Sequence, residues 1–475
     1  MKSRVVAGTV AALALGAAAL CHARLFAAAQ PSHAAGNAHD DSTEFLAATP
    51  PMGWNSWDGY GLTITEAQFK SNADWLAHHL KPYGWQYVVI DMDWFVANPS
   101  VDVATQAKQF SLDEFGRYVP ATNRFPSATD GAGFKPLADY VHSLGLKFGI
   151  HILRGIPKSA VEKNLPIADS NFHASDAADT SDVCPWAKDN YGMNTASPAA
   201  AAYYDSIAKL YARWGVDFLK VDCIASHPYR GDDIRLISEA LAKSGRPIVL
   251  SLSPGPAPLE NANELRQYAQ MWRISDDIWD VWHSDQPFPQ GLGDQFANVA
   301  KWALQGQSGH WPDADMLALG YLGPHPGWGE PRKTRFTHDE QRTLVSLWVI
   351  ARSPLMVGGE LPSADAWTEA LLTNREVIAV DQHSQGNHPV IATAETTSWL
   401  ASSEPAGDFY LAVFNMQDAK RRVQHSWSEL GLSGDRYAVR DLWEAKNLGN
   451  ATDFHATLGP HGVAFYKLHS LPAGD

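Results

Sequence analysis

The feature that most constrains this chain is an eightfold alternation. Short apolar, β-rich runs fall at 52–57, 87–93, 147–153, 216–222, 247–253, 270–275, 307–311 and 354–357. Helical segments lie between them, at 67–80, 134–144, 199–214, 233–244, 259–268, 291–304 and 339–351. Buried strands alternating with helices make parallel βα units, because each helix carries the chain back across the sheet and covers one of its faces. Eight such units predict a closed (β/α)8 TIM barrel rather than an open sheet. After about Gln385 the texture changes. Runs at 399–401, 409–415, 438–443 and 463–467 read as short strands with turn signals between them and no long helical period. This predicts a second, smaller antiparallel β-sandwich domain over 386–475, following a barrel over 49–385.

The first residues read differently. Lys2 and Arg4 precede an apolar, Ala-rich run from Val5 to Leu20, and small-residue sites follow at Ala27-Ala28-Ala29 and Ser32-His33-Ala34. That is the pattern of a secretory signal peptide over 1–34, with a polar linker over 35–48. The expectation is a secreted or periplasmic protein. Cys184 and Cys223 are the cysteines left beyond this leader. In an oxidising compartment a disulfide between them and two free thiols are both compatible with the spacing. The formal net charge of −15 disfavours nucleic acid and anionic membranes as partners and is compatible with a neutral sugar.

In a parallel barrel, chemistry gathers at the carboxyl ends of the strands. Polar residues fall there repeatedly. Asp91 and Asp93 end the second run, His151 and Arg154 the third, Lys220 and Asp222 the fourth, and Ser253 the fifth. Arg273 and Asp277 end the sixth, and Asp313 and Asp315 follow the seventh. The apolar strand Phe218-Leu219-Lys220-Val221-Asp222 and the segment Trp272-Arg273-Ile274-Ser275-Asp276-Asp277 each deliver a carboxylate. Two carboxylates across an aromatic-lined cleft are the equipment for cleaving a glycosidic bond. Two long βα connections, about 95–135 and 155–198, carry Phe110, Tyr118, Phe125, Trp186 and Tyr191, and are expected to fold over the barrel mouth. There is no Gly-rich phosphate loop, dinucleotide fingerprint or G-x-S-x-G elbow, so no cofactor is expected. A metal-dependent hydrolase needs converging ligands, and the strand ends supply one histidine, His151. A barrel that binds sugar without cleaving it is the rival from another class, and it has no need of a nucleophile opposite an acid.

Six motifs together resemble glycoside hydrolase family 27, which holds α-galactosidases and α-N-acetylgalactosaminidases. They are Pro51-Met52-Gly53-Trp54-Asn55-Ser56-Trp57, Val88-Val89-Ile90-Asp91, the stretch from Tyr140 to Ile150, Phe218 to Asp222, Trp272-Arg273 with Asp277, and Trp311-Pro312-Asp313-Ala314-Asp315-Met316-Leu317. The resemblance implies a retaining double displacement, with Asp222 as nucleophile and Asp277, rather than its neighbour Asp276, as acid/base. It implies sugar-binding roles for Trp57, Asp91, Lys220, Arg273 and Asp315, to which the altered subsite adds Asp93, His151, Arg154 and Ser253. Where the family carries two consecutive aspartates, holding the axial hydroxyl and the exocyclic hydroxymethyl of galactose, this chain has Asp91 and Met92. His151 stands where a tyrosine is common, and Ser253 matches the N-acetylgalactosaminidases. The implied activity is first an α-galactosidase. An α-N-acetylgalactosaminidase, a β-L-arabinopyranosidase and an isomaltose-releasing dextranase are the alternatives. Arg154 adds the expectation of an acidic group on the substrate.

Overall fold

The computed structural model describes residues 46–100, 107–405 and 407–472. The expected signal peptide and most of the expected linker lie outside the described residues.

Eight parallel strands form the barrel sheet: β1 (Met52–Asn55), β2 (Tyr87–Ile90), β3 (Lys147–Leu153), β4 (Phe218–Asp222), β5 (Val249–Leu252), β6 (Met271–Arg273), β7 (Trp311–Asp313) and β8 (Leu355–Val357). They pair in chain order from β1 to β7, and β8 pairs with β1. The seam between β7 and β8 is not a continuous ladder. It closes just beyond β7, where Leu317 bridges Val357 in parallel and donates its N–H to the Met356 carbonyl at 2.7 Å. β7 also starts later than its sequence run suggests. The stretch 307–310 forms a tight turn, and the ladder with β6 begins at Trp311.

The helices form where caps and periodicity agree. α1 is a single turn, Trp57–Tyr60. α2 (Glu66–His79) opens on a capping box between Thr65 and Gln68. α3 (Lys135–Ser143) packs beside β3. α4 (Pro198–Trp214) has Ser197 as its N-cap and Pro198 in its first turn, and stops at Gly215, whose φ of 83° is left-handed. α5 (Gly231–Lys243), α6 (Ala262–Tyr268), α7 (Leu292–Trp302) and α8 (His338–Ala351) complete the outer ring. Tyr87 and Val89 of β2, Phe218 of β4, Val249 of β5, Met271 of β6 and Met356 of β8 pack together as one apolar cluster.

The second long connection is more ordered than its sequence suggests. Ile156–Pro157, Ala178–Val183 and Asn190–Met193 make a three-stranded antiparallel sheet. Its polar edge strand, Ala-Asp-Thr-Ser-Asp-Val, lacks the alternation that would mark it as a strand.

The C-terminal strands are β9 (Ser384–Ala392), β10 (Thr396–Ser403), β11 (Asp408–Asn415), β12 (Arg421–Ser426), β13 (Tyr437–Asp441), β14 (Lys446–Ala451), β15 (Asp453–Leu458) and β16 (Val463–Ser470). Six form an antiparallel sheet in the order β9-β10-β11-β16-β13-β14, and β12 pairs with β15. One side of this domain has its own core around Leu411, Val413, Trp427 and Leu468. The other side joins the barrel's core through Trp399, Tyr410, Phe414 and Phe465. Among the described residues, no helix is long and apolar enough to cross a membrane.

Candidate active site

Strand geometry places the central residues. Side chains alternate along a strand, so Lys220 and Asp222 on β4 face the same way. Opposite them in the β3–β4 ladder, His151 pairs with Lys220. The Lys220 ammonium lies 2.9 Å from Asp91 Oδ2, and that oxygen also accepts a hydrogen bond from Asn55 Nδ2 at 2.8 Å. Burial alone would raise the Asp91 carboxyl. The Lys220 charge, helped by His151 and the Met92 N–H, instead holds it well below the usual carboxylate range. Asp222 follows the same logic. It is largely removed from water, yet His151 Nε2 at 3.3 Å, the Lys220 charge and the Cys223 N–H together depress its pKa. Asp222 is therefore an ionised carboxylate at neutral pH, as a nucleophile must be.

The ends of the sixth and seventh strands supply a second charged cluster. Arg273 lies 2.6 Å from Asp315 Oδ1, and its Nη1 and Nη2 donate to Asp277 Oδ1, each at 3.2 Å. Asp315 Oδ2 accepts the Ile278 N–H at 2.8 Å, which ties the acidic segment to the end of β7. Burial and the neighbouring Asp277 and Asp313 charges push Asp315 up despite Arg273. Asp277 remains about one-third exposed, open to a ligand. Asp276 turns elsewhere: it meets His227 Nε2 at 2.9 Å. Adjacent residues thus divide between the arginine and the histidine. The Lys220 ammonium feels Asp91, Asp222 and Asp277 together, so both proposed reacting carboxylates lie within the field of one cation.

The remaining expected residues divide. Trp57 is partly buried in an aromatic cluster with Trp279 and Trp328, and Gly327 lies so close to its ring that a Cβ there would come within 2.6 Å. Ser253 is buried at the end of β5, and its N–H donates to the Val221 carbonyl at 2.8 Å. Met92 packs against Leu153, Cys184 and Cys223. Asp93 is held 2.8 Å from Lys108, which also binds Asp189, so the carboxylate serves to join the two long connections. Arg154 has every guanidinium nitrogen engaged. Nε donates to the Cys223 carbonyl at 2.6 Å, and Nη1 and Nη2 clamp Asp182, each at 2.8 Å. It fixes the loop sheet to the residue after Asp222, and this geometry offers no free cation for an acidic substrate. Cys184 and Cys223 form a disulfide.

One residue of the site escaped sequence reasoning. Asp58, on α1, is buried, and its Oδ2 accepts no hydrogen bond. Burial raises its pKa well above the usual range, and the Asp315, Asp277 and Asp91 charges add to this against Lys220. Burial and the surrounding carboxylates thus favour the neutral form of Asp58. Gly358 makes room for it, because a Cβ there would fall 1.8 Å from Oδ2. Its position directly after the Trp57 motif was the available signal. Among the described residues, no group of three or more His, Cys, Asp or Glu is placed to hold a metal ion.

The chain is similar to known proteins along most of its length. The sequence model described as "Alpha galactosidase A" matches residues 187–383, and the one described as "Alpha galactosidase C-terminal beta sandwich domain" matches 394–468. An α-galactosidase of Cyamopsis tetragonoloba is 30% identical over 89% of this chain and 87% of its own length. The chain belongs to glycoside hydrolase family 27. It is accordingly a glycoside hydrolase acting on carbohydrate. An α-N-acetylgalactosaminidase of Gallus gallus is 26% identical over 89% of this chain and 94% of its own. Among solved structures, a family 27 β-L-arabinopyranosidase from Geobacillus stearothermophilus is 46% identical, covering 90% of this chain and 98% of its own, with a TM-score of 0.86.

Proposed function

We propose that this family 27 hydrolase is a retaining exo-acting β-L-arabinopyranosidase. The observation that carries the reading is the end of β2. L-Arabinopyranose has the ring stereochemistry of galactose and lacks the exocyclic hydroxymethyl. The carboxylate that family resemblance assigns to that hydroxymethyl is replaced by Met92, which packs on the disulfide. Asp93, one place later, is taken by Lys108. With neither Met92 nor Asp93 free to bond the hydroxymethyl, galactose gains little from it there and a pentopyranose loses nothing. The 46% identity to a β-L-arabinopyranosidase supports the same choice.

In the proposed reaction Asp222 attacks the anomeric carbon while Asp277 protonates the departing oxygen. The glycosyl ester on Asp222 is then opened by water that Asp277 deprotonates. Asp91, fixed by Asn55 and Lys220, accepts hydrogen bonds from ring hydroxyls, and Lys220 donates to one. Arg273 holds Asp277 and Asp315 in register. Export belongs to the proposal as well, on the leader pattern at 1–34 and a disulfide suited to an oxidising compartment.

The second reading is α-galactosidase, favoured by the 30% identity to the plant enzyme over most of both chains. Measuring kcat/KM for p-nitrophenyl β-L-arabinopyranoside and α-D-galactopyranoside decides between them. The arabinopyranoside is expected to be the better substrate by about tenfold or more, a factor within reach of one missing group. Preference for the galactoside would transfer the proposal to the second reading.

A further inference from the structure

Trp186 is 41% exposed, a large indole on the surface of the loop sheet. Two links fix it to the two sides of the active site. Two residues before it, Cys184 is covalently joined to Cys223, the residue after Asp222. On the other side its ring meets the His227 imidazole at 6.0 Å between centroids, with the planes at 87°. His227 in turn binds Asp276, the residue before Asp277, and reaches the Gly255 carbonyl at 3.2 Å. An edge-to-face contact leaves at least one face of each ring uncovered by the other, and His227 is the one ring found against Trp186 among the described residues.

We propose that Trp186, with His227 and Asp276 beside it, forms the subsite for the leaving group, and that this group is a neutral pyranose. The inference rests on the assignment of Asp222 and Asp277 made above. The residue that protonates the departing oxygen must lie next to the group that departs, and Trp186 stands beside that residue's neighbours. An indole face takes the C–H face of a sugar ring. His227, 45% exposed, and the partly exposed Asp276 offer polar atoms to its hydroxyls. A chain of net charge −15 does not select an anionic leaving group. The rigid anchorage through the disulfide and the His227–Asp276 pair holds the platform in place before the substrate arrives, which reduces the ordering cost of binding.

The test compares two substrates with the same glycone: a disaccharide with a pyranose leaving group, and the glycosyl fluoride, whose leaving group is a single atom. Both are run with β-L-arabinopyranosyl and α-galactosyl glycones. For Trp186→Ala, the ratio of kcat/KM on the disaccharide to kcat/KM on the fluoride is expected to fall about tenfold. Trp186→Phe, which restores a flat ring, is expected to recover most of it. A ratio equal to that of the native enzyme overturns the subsite, as does a loss shared evenly by both substrates. A native enzyme inert toward both fluorides would instead overturn the catalytic assignment itself, before any variant is made.

Discussion

At the residue scale, the site is a lesson in how neighbours decide what a carboxyl does. Asp91, Asp315 and Asp58 are buried and Asp222 nearly so, yet Asp91 and Asp222 are held ionised while Asp315 and Asp58 are pushed toward the neutral form. For the first pair the Lys220 and His151 charges outweigh burial; for the second, burial and the neighbouring carboxylates outweigh Arg273 and Lys220. Asp58 gives the cleanest consequence. Its folded pKa is raised, so the native state keeps a proton that the unfolded chain has released. Stability therefore falls as pH rises from the ordinary carboxylate value through the folded one. Asp58→Asn removes that dependence. Its melting temperature relative to the native enzyme is expected to rise between pH 5 and pH 8, on the order of 1–3 °C. Parallel melting curves across that range would contradict the account. Lys220 and Asp222 were legible because a polar residue at the end of an apolar strand has few innocent explanations. Arg154 was visible as a charge, but its partner Asp182 lies on another element, and no local pattern announces that pairing.

At the element scale, the loop sheet between β3 and α4 is what the sequence concealed most fully. Its strands are polar and short, so they carry no hydrophobic period. They become strands because Arg154, Asp182 and the disulfide hold them against the end of β4. The bridge spans a separation of 39 residues, for which loop-closure entropy implies up to about 4 kcal/mol of stabilisation. It also sets the Cys223 N–H that donates to Asp222. The double variant Cys184→Ala/Cys223→Ala is expected to lose a substantial part of that stability in urea unfolding. Its kcat is expected to fall as well, because the nucleophile's own hydrogen bond is disturbed. Reduced stability with native kcat would show the disulfide to be a brace with no bearing on Asp222.

At the scale of the whole molecule, the eightfold alternation made the barrel readable, and the change of texture near Gln385 made the second domain readable. How the two join was not, since that depends on which faces meet. In the structure they share one core. Phe414 of β11 meets Phe296 of α7 at 5.0 Å, His461 stacks on Trp282 at 3.7 Å, and Trp443 Nε1 donates to Ser346 Oγ at 2.9 Å. A shared core makes the domains unfold together. Calorimetry is expected to show one transition for the native enzyme. Phe414→Ala is expected to lower it as a single step, with a cost of about 3–5 kcal/mol. Two separated transitions in the native protein would contradict the shared core.

All three scales serve one claim, that Asp222 becomes covalently glycosylated while Asp277 handles the proton. The most direct measurement is mass spectrometry of the enzyme after incubation with a 2-fluoro-β-L-arabinopyranosyl or 2-fluoro-α-galactosyl fluoride, followed by peptide mapping. The account predicts a single glycosyl adduct on the peptide containing Asp222, with retained anomeric configuration in normal turnover followed by NMR. An adduct on any other carboxylate, or an inverted first product, would contradict it.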